Sequence, residues 1–309
     1  MATHFPKRVR VPVNGVLLLD KAAGHSSNDV LIKAKRLLNA MKAGHTGTLD
    51  PFATGLLPLC FGEATKFAQD LLEADKTYET VVHLGQVTTT GDTEGEITAT
   101  AGVSVTREQV EAVLAQFRGP ILQVPPMYSA LKRDGKPLYE YARAGVTLER
   151  EARAVTIHTL ELLELTSPLL TLRVKCSKGT YIRVLGEEIG AALGCGGHLQ
   201  ALRRTVVGSL TLDGAVTLEG LAEVEESQRA ATLAPVDALL STFPELRLND
   251  DFAQRFLHGQ RLALAKEMPV LPQAGRVRVY RDTDNVLLGT AQLAEYGVLA
   301  PERLVSTSI

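Results

Sequence analysis

The chain has 309 residues, 45% of them hydrophobic and 22% charged, with a formal net charge of −2. It reads as a soluble globular protein with a sizeable core, enough for one domain of about 200–250 residues and a smaller one. No apolar run approaches the roughly 20 residues that cross a bilayer, and the basic start "MATHFPKRVRVPVNG" lacks the apolar core of a secretory signal, so the expected location is the cytoplasm.

In chain order, "GVLLLDK" reads as a short buried strand. Ser26 or Ser27 then caps a helix over "DVLIKAKRLLNAMK", with Val30, Leu37, Leu38 and Met41 on one stripe and basic residues opposite. A Gly-rich loop, "AGHTGTLDPFATGLLPL", follows. "TYETVVHLGQ" has the β-branched and aromatic enrichment of a strand, and "TTTGDTEGEI" after it is turn-rich. Thr106 and Gln109 form a capping-box pattern ahead of Val110, Val113, Leu114 and Phe117 at helical spacing, which Gly119-Pro120 stops. "QVPPMYSALKRDGKPLYEYARAG" reads as a surface loop feeding a short helix. "LTLRVKCSKG" alternates as a half-buried strand, with Leu170, Leu172, Val174 and Cys176 on one side. "TYIRVLGEEIGAALG" places Ile182, Leu185, Ile189 and Leu193 on one helical face, ended by Gly194. The acidic, Ala-rich "EVEESQRAATLAPVDALLSTFP" reads as a connection, and beyond Pro244 short strand signals dominate, with a hairpin around "DTDN". Without a regular β-α-β rhythm, the pattern predicts an α+β fold with a largely antiparallel sheet and a small β-rich C-terminal domain.

Cys60, Cys176 and Cys195 form no C-x-x-C pair, which argues against a structural zinc site and a disulfide framework. No Walker A run and no G-x-G-x-x-G after a strand is present, so no nucleotide cofactor is expected. The net charge conceals two basic blocks. Residues 1–66 carry nine Lys/Arg, Lys7 and Arg8 among them, against four Asp/Glu, and residues 171–210 carry six against two. Such blocks permit a phosphate-contacting surface without establishing one.

The candidate chemistry centres on Asp50. It precedes a proline, which pushes its backbone toward an extended or turn conformation, and Gly44, Gly47 and Gly55 allow close backbone approach. Leu49, Phe52, Leu56 and Leu57 are expected to line an apolar pocket around a carboxylate fit to act as nucleophile or base. By itself the stretch favours a structural Asx turn in which Asp50 bonds its own backbone. Arg183, in the first turn of its helix, opposes the positive end of the dipole and so needs an acidic partner or an anion. Tyr78, Tyr181 and His45 read as boundary residues or as stacking platforms.

"GHTGTLDPFATGLL" resembles closely the signature of the bacterial tRNA pseudouridine-55 synthase family, known as TruB. "LDKAAGHSSNDVL", "GEATKF", "KTYETVVHLGQVTTTGDTEGEI", "VPPMYSALKRDGKPLYEYARAG", "CSKGTYIRVLGEEIG" and "CGGHLQALRRTVVG" look like successive family blocks, covering Val16 to Gly208. From Arg276, "VYRDTDNVLLGTAQL" and "GVLAPERLV" look like a short PUA-type RNA-binding domain.

The resemblance implies a pseudouridine-synthase fold, with a mixed, largely antiparallel sheet flanked by helices. A catalytic domain would span 1–240 and a PUA-like one 244–309. It implies that Asp50 is the nucleophile that isomerises uridine, attacking at C1′ or C6. Tyr78 would stack on the base and serve as a candidate for proton transfer, and Arg183 would pair with Asp50. Tyr181 and Leu202 would contact the flipped nucleotide, His45 would fill its vacated place, and Lys21 and Lys66 match family lysines counted as substrate contacts. It implies no metal or organic cofactor, the T arm of tRNA as partner, no required protein partner and a monomer. Two alternatives stay open: a guide-RNA-dependent relative acting on ribosomal RNA, disfavoured because the chain ends at "LVSTSI" without a long basic extension, and a non-catalytic RNA-binding or tRNA-folding module. A cofactor-free hydrolase using Asp50 needs a second, paired carboxylate, for which the sequence offers no candidate.

Overall fold

The computed structural model describes residues 9–268 and 270–306; Lys7 and Arg8 of the first basic block lie outside the described residues. Strand β1 (Gly15–Lys21) leads into helix α1 (Ser27–Leu37), whose cap is Ser26, the side chain accepting from the Asp29 N–H. The helix stops sooner than its apolar spacing predicts. Asn39 adopts a left-handed φ of 51°, and Met41 beyond it is exposed instead of joining Val30 and Leu38 in the core. After β2 (Ala43–His45) comes β3 (Thr54–Phe61). The last third of the stretch read as a loop is therefore a core strand. It is buried on both faces, so it shows no alternation, and Pro58 stands just beyond the pairing with β2, its carbonyl accepting from the Thr46 N–H.

The chain continues through α2 (Ala68–Glu73), β4 (Lys76–Leu84) and the small hairpin β5 (Gln86–Thr88) with β6 (Ile97–Thr100). Helix α3 (Arg107–Phe117) carries the complete Thr106–Gln109 capping box and ends at the edge strand β7 (Gly119–Gln123). The expected surface loop holds a two-residue hairpin, β8 (Lys132–Arg133) with β9 (Lys136–Pro137), before α4 (Leu138–Arg143). Then follow β10 (Arg153–Thr166), β11 (Leu169–Cys176), α5 (Ile182–Ala192), β12 (Gly197–Val207) and α6 (Leu218–Glu223).

These strands form one eight-stranded sheet in the order β1-β3-β12-β4-β11-β10-β7, with β2 on β3. Every pairing is antiparallel except β3 with β12, which meet in parallel at Thr54 and Gly55 opposite Arg203 and Arg204. The α+β expectation holds. One apolar layer packs α1, α3 and α5 on the sheet through Val30, Leu114, Ile189, Leu57 and Val82; the opposite face carries a smaller layer around Phe67, Leu56 and Val207.

The segment read as a connection is not a free linker. Its Leu239 and Leu240 are buried in that smaller layer, and Ala234 hydrogen-bonds Val16 through both backbone groups. Beyond it lie β13 (Glu245–Leu248), α7 (Asp250–Leu257), β14 (Leu262–Ala263), β15 (Gly275–Arg281), β16 (Leu287–Leu293) and β17 (Val298–Leu304). They form a second, five-stranded sheet, β13-β15-β16-β17-β14, closed by Phe256 over its own core of Leu246, Val277, Val279 and Leu299.

Candidate active site

The turn carrying Asp50 is held from three directions. Ser27 Oγ donates to the Leu49 carbonyl at 3.0 Å and accepts from the Leu49 N–H at 2.8 Å. Lys21, fully buried beneath the loop, donates to the carbonyls of Ala22 (2.9 Å), Pro51 (3.1 Å) and Ala53 (2.7 Å). Arg204, buried on β12, donates to Leu56 O (2.8 Å) and Gly47 O (3.2 Å). Gly55 is required here: its φ is +100°, and a Cβ would stand 2.2 Å from the Arg204 carbonyl. The turn is closed by backbone, Ala53 N–H to Asp50 O at 3.1 Å, and not by the Asx bond that the local reading favours. The Asp50 carboxylate is thereby left free of its own loop.

It is aimed at Arg183. The Nε–H donates to Asp50 Oδ2 at 2.9 Å, the acidic partner that the position in the first turn of α5 demands. The contact is single-pronged, because the other two guanidinium nitrogens donate to Thr90 O (3.0 Å) and Tyr128 O (2.6 Å). Arg183 is 4% exposed and Asp50 34%, so the cation is fixed inside the protein while the carboxylate faces the opening. The N-terminus of α5 is set by Gln123 on β7, which accepts from the Tyr181 N–H at 2.8 Å and donates to the Tyr181 carbonyl at 3.1 Å.

A second carboxylate is present, contrary to the sequence reading. Asp92 Oδ2 lies 3.5 Å from Arg183 Nε, while its Oδ1 accepts from Thr90 Oγ1 (2.5 Å) and the Glu94 N–H (3.0 Å). Its side chain is buried and does not line the cleft, so it supports the arginine and does not form the facing pair that a carboxylate-dyad hydrolase needs. Burial pushes the Asp50 carboxyl above its ordinary value and Asp92 adds to the rise, while Arg183 and Lys21 pull it down.

The cleft in front of Asp50 has a volume of about 310 Å³, at the small end for ligand sites and suited to a single ring. Tyr78, Leu202, Tyr181, Ile182, Leu49 and Ser129 line it with Asp50 and Arg183. Burial raises both phenols, Tyr78 and Tyr181, so they are neutral near pH 7. Two aromatic rings, an aliphatic floor and one half-exposed carboxylate make a site able to stack a planar ring and to present one carboxylate oxygen to it.

The structure gathers five of the expected residues, Asp50, Tyr78, Arg183, Tyr181 and Leu202, around this cleft, and sets three apart. His45 sits half-buried on β2, outside the lining, with Nδ1 unpartnered; burial and Arg204 lower its pKa, so the ring is neutral at pH 7. Lys21 is outside the cleft lining, its ammonium engaged by main-chain carbonyls behind the loop. Lys66 lies at the second sheet, donating to Glu63 (2.7 Å), Leu304 O (2.9 Å) and Ser306 Oγ (3.1 Å). Phe52, Leu56 and Leu57 likewise leave the pocket wall, the two leucines for opposite faces of the sheet core. Missed by the sequence reading were Asp92, Ser27 and Arg204. The only signal for Asp92 was a short polar residue in the turn-rich "TTTGDTEGEI". Among the described residues no His/Cys/Asp/Glu group could hold a metal, and all three cysteines are buried and free.

Family models match almost the whole chain in three pieces: the N-terminal domain of TruB family pseudouridylate synthase over residues 35–182, a tRNA pseudouridylate synthase B C-terminal domain over 183–241, and the C-terminal model of pseudouridine synthase II TruB over 244–305. The chain belongs to the TruB family of pseudouridine synthases. Curated TruB relatives named tRNA pseudouridine synthase B match it end to end. That of Burkholderia lata is 64% identical over 100% of this chain and 96% of its own, and that of Ralstonia pickettii 62% identical over 99% of each. Among solved structures, one described as a Cbf5-Nop10-Gar1 complex superposes with a TM-score of 0.73 at 26% identity, over 97% of this chain and 90% of that one. Another, an H/ACA RNP bound to a substrate RNA containing 2′-deoxyuridine, gives 0.72 at 25% identity, over 95% and 85%. No described helix is long and apolar enough to cross a membrane.

Proposed function

We propose that this TruB-family chain isomerises uridine 55 in the T-loop of tRNA to pseudouridine, with Asp50 as nucleophile and without a cofactor. The observation that carries the reading is the Asp50 carboxylate, freed from its own turn, charge-paired to Arg183 at 2.9 Å and facing a ring-sized cleft walled by Tyr78 and Tyr181. A uridine inside a folded RNA arm must leave its stack to reach that oxygen, losing a few kcal/mol of stacking that the tyrosines partly restore. In the net reaction the C1′–N1 bond breaks and a C1′–C5 bond forms. The C5 proton leaves, N1 gains one, and the product is an isomer of the substrate. Arg183 keeps Asp50 ionised against the burial that would neutralise it. Tyr78 and Leu202 hold the ring, and the imidazole of His45, neutral and unpartnered on one nitrogen, occupies the vacated stack.

Residues 1–240 form the catalytic domain in this reading. Residues 244–309 form a PUA-type domain that grips the tRNA elsewhere, a division supported by the separate core around Phe256. The enzyme acts as a monomer in the cytoplasm and needs no guide RNA or protein partner. The names of its relatives, 62–64% identical, favour tRNA over the guided complexes named among its structural neighbours.

The test is conversion of an unmodified tRNA T-arm transcript by purified protein alone. Wild type is expected to form pseudouridine at position 55. Asp50→Asn is expected to lose more than about 10⁴-fold in rate while keeping its tRNA affinity within a few-fold. A wild-type enzyme that converts nothing without a guide RNA overturns the reading.

A further inference from the structure

Ser129 stands out in the wall of the cleft. It is 6% exposed, it lines the same space as Asp50, Tyr78 and Arg183, and its Oγ is buried with no well-formed hydrogen bond, the Tyr181 phenol standing near it. Neighbouring buried side chains do not share this state: Arg183, Arg204 and Ser27 are all engaged. A buried hydroxyl left unpaired destabilises the free protein, so such groups call for a partner that arrives later.

The hydroxyl is also placed by design of the backbone. The Ser129 N–H donates to Met127 O at 2.9 Å, and its carbonyl accepts from the Tyr139 N–H at 3.1 Å. The preceding carbonyl, Tyr128 O, accepts from Arg183 Nη2 at 2.6 Å. The guanidinium that positions the nucleophile therefore also positions the segment bearing Ser129, and the two groups are fixed relative to each other.

Resting on the function proposed above, we propose that Ser129 Oγ is a base-recognition group, hydrogen-bonding the polar edge of the pyrimidine in the Asp50 cleft before and after the ring turns. A hydroxyl suits this task better than an amide or an ammonium. It carries one donor and two acceptor lone pairs and rotates to suit its partner. Uridine offers it a carbonyl acceptor; when the ring turns over to join C1′ through C5, C2=O and C4=O exchange places and N1–H comes to stand where C5–H stood, so the hydroxyl keeps a carbonyl acceptor and gains a neighbouring donor. A single Oγ serves both by a rotation about Cβ–Oγ, with no movement of the chain.

Two measurements test this. Single-turnover conversion of the T-arm transcript is expected to fall about tenfold in Ser129→Ala, the equivalent of one hydrogen bond, and to stay near wild type in Ser129→Thr, which keeps the hydroxyl. Independently, in an Asp50→Asn background, the affinity ratio between a T-arm hairpin carrying uridine at the target position and one carrying an abasic residue reads base recognition without chemistry. Ser129→Ala is expected to reduce that ratio several-fold while leaving the abasic affinity and the melting temperature unchanged. An unchanged rate or an unchanged ratio overturns the role of Ser129, and a lowered melting temperature with an unchanged ratio assigns it to structure instead. A wild type inactive on the transcript overturns the enzymatic reading, and the hairpin ratio still decides the contact.

Discussion

Lys21 and Lys66 carry the same charge and stand in two differently built regions. Around Asp50 the cations are buried and point at the backbone: Lys21 holds three carbonyls, Arg204 two, and Arg183 two besides Asp50. At the junction of the two sheets the cations pair with side chains, Lys66 with Glu63 and Arg276 with Glu302, all partly exposed, and Arg276 also with the buried Asp70. A buried cation on main-chain oxygens fixes a loop in one geometry, because losing it leaves several acceptors without donors. Pairs near the surface are screened and replaceable, so they hold two bodies together while tolerating adjustment. Precision is concentrated around the Asp50 carboxylate.

The largest effect that would break this contrast is at Arg183. Arg183→Lys is expected to lower the rate about 10²-fold or more, since one ammonium cannot reach Asp50, Thr90 O and Tyr128 O together. Near-wild-type kinetics in that variant would mean that charge alone suffices and geometry does not matter.

Next comes Lys21→Met, expected to destabilise the protein by about 3 kcal/mol in chemical denaturation, with unpaired carbonyls under Pro51 and Ala53. A pH series sharpens the point. Burial lowers the folded Lys21 pKa from 10.5 to about 8, so between those values the unfolded chain binds the extra proton. This residue's contribution to stability therefore rises as pH increases from about 8 toward 10.5. The stability gap between wild type and Lys21→Met is expected to widen over that window, and a constant gap would contradict burial as the cause.

The smallest effect is at the junction. Lys66→Ala is expected to change stability by no more than about 1 kcal/mol and to leave turnover of a minimal T-arm hairpin untouched. A large loss of turnover there would mark Lys66 as a substrate contact.

What the sequence made legible follows the range of each signal. Local devices could be read directly: the Ser26 cap, the Thr106–Gln109 box and the alternation of Leu170, Leu172, Val174 and Cys176 all appear where their patterns predict. Strand β3 could not, because burial on both faces erases alternation, and Gly55 and Pro58 imitate a loop. At the site, the demand of Arg183 for an anion was visible from its place on α5, and the family resemblance supplied Asp50 as the answer. Its other acceptors were not visible, since Thr90 and Tyr128 stand 93 and 55 residues away and offer only carbonyls, which every residue has. The two lysines show the same limit: a sequence names the donor but not the acceptors around it, three backbone carbonyls for Lys21 and Glu63, Leu304 O and Ser306 Oγ for Lys66.

The parallel meeting of β3 and β12 has a mechanical consequence. Asp50 hangs from the β2–β3 side of that seam, whereas Tyr78 on β4 and Arg183 on α5 belong to the far side. The two jaws of the site are thus clamped across a joint only two registered pairs long, where Gly55 lies against the Arg203–Arg204 backbone with no room for a single added carbon. Any residue that wedges this joint sets the gap between the Asp50 carboxylate and the Tyr78 ring without touching either. The alignment of the cleft is machined at a place outside the cleft.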